Sequence, residues 1–160
     1  SFYNGHYYSN KAIGAPLIAL PLYWLSKKIS LFSGTTYWPL HIKLFDMYFV
    51  RIASTTFLFA ITGILMFRLL NKWKSSERNS LWVVLGLSFG TISFIHATMF
   101  SGHLIAASLS FFSFYLIVNI LDVHPQSTKT KSCILAFISG LSAGLGALSD
   151  YTAIYLAFVI

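Results

Sequence analysis

The sequence predicts an all-α protein of the membrane: a polytopic transmembrane helix bundle with an interfacial extracytoplasmic loop. Three observations carry that expectation. Apolar residues make up 56% of the chain and charged residues only 9%, whereas soluble domains are about 25% charged. Apolar runs close to the roughly twenty residues needed to cross a bilayer recur along the chain. The 11 Lys and Arg fall between those runs rather than along one continuous face.

The last point excludes a function class. A formal charge of +7 and a pI near 9.6 would by themselves suit a nucleic-acid partner, but scattered cations report topology instead, and no nucleic acid is expected. Cys133 is the single cysteine, so neither an intrachain disulfide nor a cysteine-based metal site is expected. The chain opens at Ser1 without a signal-like segment and closes at Ile160 inside an apolar run. That pattern predicts an internal piece of one longer transmembrane domain covering residues 1–160.

Residues 1–46 read as the extracytoplasmic, interfacial loop. Within it, residues 5–21 (GHYYSNKAIGAPLIALP) set His6, Tyr8, Asn10 and Lys11 beside Gly and Pro, then enter an apolar segment. Pro16 and Pro21 interrupt that segment before it is long enough to span, so it should lie at the interface or re-enter. Residues 26–45 mix Lys27, Lys28, Tyr37, Trp38, Pro39, His41 and Lys43, a composition of the headgroup level, and predict a loop with short interfacial helices.

The first full span is expected at about 47–70, with Arg51 and Arg68 near opposite ends where long side chains reach water. The second is expected at 81–100, where Gly86 and Gly90 form a GxxxG that would admit a close neighbour. A third covers 104–121. A fourth, 133–149, carries Gly140, Gly144 and Gly146 as another small-residue face, and a fifth begins over 151–160. Ser108, Ser110 and Ser113 are expected to bond back to carbonyls of their own helix.

Orientation follows from the short loops. Lys72, Lys74, Arg78, Lys129 and Lys131 lie in two of them, while the turns at Ser101 and Asp150 hold no cation, which places the basic pair in the cytoplasm. Lys27, Lys28 and Lys43 run against this. Alternation then gathers His6, Asn10, Lys11, Arg51, His96, His103 and Asp150 at the outer face. Ionisable groups at such depths are candidates for function.

Lys11 and Arg51 suit an anionic phosphate, one as a point charge and the other as a planar fork; otherwise they snorkel to lipid headgroups. His96 is expected in an interhelical hydrogen bond, and His103 sits at a loop-to-helix junction. Asp150 suits a sugar hydroxyl or a cation, and equally the N-cap of the helix starting at Tyr151. A divalent metal held by His96, His103 and Asp150 is conceivable, although no spacing demands one. No GxGxxG, Walker loop, HExxH or nucleophile elbow occurs. Of the 4 acidic residues, Glu77 and Asp122 fall on the cytoplasmic side, leaving Asp46, Asp150 or a histidine as a general base.

The opening stretch GHYYSNKAIGAPLIALPLYWL resembles the first extracytoplasmic loop of bacterial C-type-fold polytopic glycosyltransferases, relatives of the dolichyl-phosphate-mannose protein mannosyltransferases. Those often read G-H-Y-Y-S-D-K-x-P-G before a Pro-bounded apolar helix; here Asn10 stands for the Asp and Ile13 for the Pro. Arg51 opening the next span, MFSGHLIAASL around His103 and GLSAGLGALSDYTA ending at Asp150 add to the likeness. The resemblance implies an inverting transferase using a polyprenyl-phosphate-linked sugar outside the bacterial plasma membrane, with a hydroxyl or lipid acceptor. It implies Lys11 and Arg51 at the donor phosphate and His6, Tyr8, Asn10, His103 and Asp150 about the substrates. The family's catalytic carboxylate would fall before Ser1, and an amide at Asn10 cannot replace it. The rival expectations are a transporter or flippase of lipid-linked substrates, which would place charges near the bilayer midplane and repeat broken helices, and a non-catalytic scaffold of the same fold.

Overall fold

In the computed structural model, residues 2–3, 5–7, 12–32, 39–121 and 129–155 are described. The described chain is helical apart from one small hairpin. Strands β1 (Phe2–Tyr3) and β2 (His6–Tyr7) pair antiparallel, with Phe2 opposite Tyr7 and Tyr3 opposite His6. Gly5 turns the hairpin at φ 79, a left-handed conformation that glycine adopts without steric cost. Part of the expected polar loop is thus ordered as a ribbon.

Helix α1 spans Gly14–Phe32 and runs through Pro21. This corrects the expectation that Pro16 and Pro21 interrupt the segment, and the helix takes in the first part of residues 26–45, read as a loop with short interfacial helices. Pro16 lies in the first turn, where its missing N–H costs nothing, and Pro21 removes one bond from a helix that is otherwise complete. Ser26 and Ser30 donate to the carbonyls of Tyr23 and Lys27 at 2.8 and 3.0 Å. Lys27 lies over the Tyr23 ring and Lys28 over Trp24. Lys27 and Lys28 of the expected mixture therefore lie on a helix surface, each over an aromatic ring one turn earlier, while Tyr37 and Trp38 lie outside the described residues.

Helix α2 (Pro39–Arg51) continues through a π-helical turn, Ile52–Thr56, into α3 (Phe57–Lys72). Ser54 and Thr55 donate to the carbonyls of Val50 and Arg51 at 2.6 and 2.7 Å. The N–H of Phe57 reaches Ile52, five residues back. Side chains that bond to their own helix carbonyls loosen the regular ladder, and the wide turn follows immediately after Arg51.

The expected second span at 81–100 is not one helix. Helix α4 (Glu77–Gly90) ends at Thr91 and a separate short α5 (Ser93–Ala97) follows. Thr91 is extended (φ −122, ψ 165), and its hydroxyl donates to Leu87 while accepting from the N–H of Ser93. A flexible Gly followed by a β-branched residue that can cap both sides ends one helix and starts the next. Helices α6 (Gly102–Leu121) and α7 (Lys129–Ser149) complete the bundle, followed by a 3-10 turn at Tyr151–Ala153.

Three helical stretches are long and apolar enough to cross a membrane: Leu44–Lys72, Gly102–Leu121 and Thr130–Ser149. Helix α6 is central, packing on α7 and α3, and buries Leu104, Ile105, Ala106 and Leu116. The GxxxG expectation fails here, because a Cβ at Gly86, Gly90, Gly140 or Gly144 would meet nothing within 4 Å. The expected small-residue face of α7 is borne out at Gly146, where an added Cβ would lie 3.2 Å from Ser110 Oγ and 3.3 Å from the Ala106 carbonyl. Ser113 does not bond back as expected but reaches across to Ser139 at 2.8 Å, and buried Ser108 Oγ has no hydrogen-bond partner among the described residues.

The two ends of the bundle are tied by different contacts. At one end Lys72 Nζ donates to Asn119 Oδ1 at 3.0 Å, tying the close of α3 to the close of α6. At the other, Thr56 donates to the Ala97 carbonyl at 2.7 Å, and α1, α6 and the end of α7 converge.

Candidate functional site

The convergence is built by two glycines. A Cβ at Gly14 would lie 2.4 Å from backbone atoms of Leu148 and Ser149, and one at Gly102 would lie 2.8 Å from the Ser149 carbonyl. Only hydrogen on Cα lets these three chain segments meet. Asp150 leaves α7 in an extended conformation (φ −152, ψ 117), which turns its carboxyl back over the junction.

The two oxygens of Asp150 are used separately. Oδ1 accepts from the Thr152 N–H at 3.1 Å, which caps the 3-10 turn as the sequence anticipated. Oδ2 meets His103 Nδ1 in a very short contact. Burial tends to raise the Asp150 carboxyl, but the hydrogen bonds from His103 and Thr152 outweigh it and hold the group below its ordinary 3.8. An ionised carboxylate can only accept, so Nδ1 carries a proton, and in the neutral form of the imidazole Nε2 is then the acceptor. The His103 side chain is 73% exposed, so that nitrogen is reachable.

Beside it, His96 Nδ1 and Ser101 Oγ are 3.1 Å apart, and the rings of His96 and His103 meet edge-on with centroids 6.2 Å apart. The expected interhelical bond of His96 is replaced by one within its own connection, because the break at Thr91 places His96 on the short α5. Ser101 also accepts from the Leu104 N–H at 3.5 Å at the start of α6. Its role was not anticipated, although a Ser just before a Gly-opened helix is a recognisable capping signal. These groups share a cavity of about 690 Å³ walled also by Pro16, Met99, Phe100 and Tyr151. The considered three-ligand metal site does not form: no group of three His, Cys, Asp or Glu able to hold a metal occurs among the described residues.

The chain matches no known family, no characterised protein and no solved structure. The site is therefore read from its geometry.

Arg51 is near but separate. It lines a second, largely apolar cavity of about 600 Å³ between α3, α4 and α5, with Phe59, Phe67, Phe89 and Thr98 among its walls. The short connection bearing Ala97 and Thr98 divides it from the histidine site, so Arg51 joins a different cavity from His103 and Asp150. Its guanidinium lies over the Tyr48 ring at 4.4 Å, and its buried Nε has no hydrogen-bond partner among the described residues. Of the other anticipated residues, Tyr8, Asn10 and Lys11 lie outside the described residues, and His6 is placed by its backbone in β2 without a described side chain.

Proposed function

We propose that this is a multi-pass membrane glycosyltransferase that moves a sugar from a polyprenyl-phosphate donor to an acceptor hydroxyl on the outer face of a bacterial plasma membrane. The observation that carries the reading is the His103–Asp150 pair opening on the cavity at the convergent end of the bundle. Support for the setting comes from three sufficiently apolar helices and from Trp82 and Phe137, both more than half exposed.

In this reading Nε2 of His103 takes the proton of the acceptor hydroxyl while Asp150 steadies the imidazolium that forms. The acceptor oxygen bonds to the sugar's anomeric carbon from the face opposite the phosphate. The bond from that carbon to the phosphate oxygen breaks, and its electron pair leaves with the polyprenyl phosphate. Arg51, with Nε unsatisfied at the neighbouring apolar cavity, is suited to hold the donor's phosphate while the isoprenoid tail lies along the phenylalanines, and transfer then requires the donor's sugar to reach past the connection bearing Ala97 and Thr98 to His103. Lys11 is proposed beside the same phosphate, and His6, Tyr8 and Asn10 beside the substrates, on the strength of the family resemblance alone.

The test is release of polyprenyl phosphate by the full-length protein in nanodiscs supplied with polyprenyl-phosphate-mannose and, separately, polyprenyl-phosphate-glucose. His103→Ala should reduce release about a hundredfold or more with donor binding retained. Arg51→Ala should weaken donor binding. Release that is unaffected by His103→Ala would remove the pair from the chemistry, and no release with either donor would sink the transferase reading.

A further inference from the structure

Asp46 takes no part in that scheme, yet it is one of the most thoroughly enclosed polar groups among the described residues. Its side chain is 1% exposed, and Lys27 Nζ of α1 lies 2.5 Å from Oδ2, forming an ion pair across the α1–α2 contact. Oδ1 is buried with no hydrogen-bond partner among the described residues. A buried acceptor left unmatched is costly, more so on a charged group, and native structures seldom leave one without a use.

The wall of a groove of about 650 Å³ includes Asp46. Among the described residues, the rest is almost entirely hydrocarbon: Pro16, Ala19, Leu20, Met47, Val50 and Phe100, with Tyr23 beside Lys27. We infer that this groove binds a neutral amphiphile, a single-chain aliphatic alcohol, whose hydroxyl donates to Asp46 and whose chain lies against α1 and α2. The head group follows by elimination. An anionic head is repelled by Asp46, and a cationic head meets Lys27, which already neutralises the carboxylate. A bare alkane leaves Oδ1 unmatched. A hydroxyl satisfies it without adding charge, and the apolar wall suits the chain.

Pro16 and Phe100 line both this groove and the His103 cavity, so the two adjoin. The binding inference needs no transfer activity and stands or falls independently of the proposed reaction.

The experiment uses the full-length protein in detergent, labelled with a diazirine-bearing dodecanol and mapped by mass spectrometry, with competition by 1-dodecanol, dodecane, dodecanoate and dodecylammonium. Labelling is expected at Met47 and Val50, with 1-dodecanol competing about tenfold or more better than the other three. The double change Lys27→Met with Asp46→Leu swaps the ion pair for apolar side chains, a type of replacement that buried pairs commonly tolerate. It should abolish the preference for alcohol over alkane. Ala19→Phe, which keeps the pair and fills the groove, should weaken labelling throughout. Equal competition by dodecane, better competition by either charged probe, or a preference that survives the double change would each overturn the inference.

Discussion

His103 and Asp150, 47 positions apart in sequence, meet through Nδ1 and Oδ2 where the start of α6 passes the end of α7. The contact depends on Gly102, whose missing side chain leaves room for the Ser149 carbonyl at the same crossing. A stability signature and a set of contrasts follow from this arrangement.

The Asp150 carboxyl is depressed, its burial being outweighed by hydrogen bonds from His103 and Thr152. A carboxyl lowered in the folded state stabilises fully above its ordinary value of 3.8, and that stabilisation disappears as pH falls through the lowered value. Unfolding in detergent, followed from about pH 6 to about pH 3, should show wild type more stable than Asp150→Asn at the upper end and the gap closing below. A gap that stays constant would mean the charge of Asp150 contributes nothing.

Glycines in this chain divide by what surrounds them. Gly14→Ala and Gly102→Ala should destabilise by about 1–3 kcal/mol, since the new methyl meets backbone that cannot move aside. Gly86→Ala and Gly144→Ala, with open space around the Cβ, should be neutral or stabilising by up to about 1 kcal/mol through helix propensity. Denaturation midpoints of the four variants decide it; the reverse ordering would restore GxxxG packing as the organising feature.

Lys27 responds at the opposite end of the pH scale. Its hydrogen bond to Asp46 raises the ammonium above the ordinary 10.5, so its contribution is complete below that value and is lost as pH rises through the higher folded one. Wild type should therefore lose stability between about pH 10 and pH 12 relative to the Lys27→Met, Asp46→Leu double variant. Parallel curves for the two proteins would show that the ion pair does not matter to folding.

Topology is open to labelling. With Cys133 replaced by Ser, a cysteine at exposed position 103 should react with an impermeant maleimide added outside intact cells, and one at position 75 should not. Reaction at 75 alone would invert the protein and place the histidine cavity in the cytoplasm.

Much of the fold was legible because it rests on local chemistry. Apolar runs foretold α6, α7 and the long α2–α3 stretch, and an Asp before Tyr151 foretold a cap. Small-residue spacing was a poorer guide: GxxxG states that a close approach is allowed, while contact requires a partner helix in the right place, and at Gly86 there is none. Proline was misleading in the other direction, since losing one hydrogen bond at Pro21 does not stop a helix whose flanking residues still favour it.

What the sequence by itself determined is composition and its consequence: helices apolar enough for a membrane. What only the tertiary structure decided is which of the candidate groups meet. His103 reaches Asp150, His96 turns to Ser101, Arg51 joins another cavity, and Lys27 closes on Asp46. The reason is physical: hydropathy and capping act over a few residues, whereas these pairings depend on the break at Thr91 and on backbone crossings that only Gly14 and Gly102 permit.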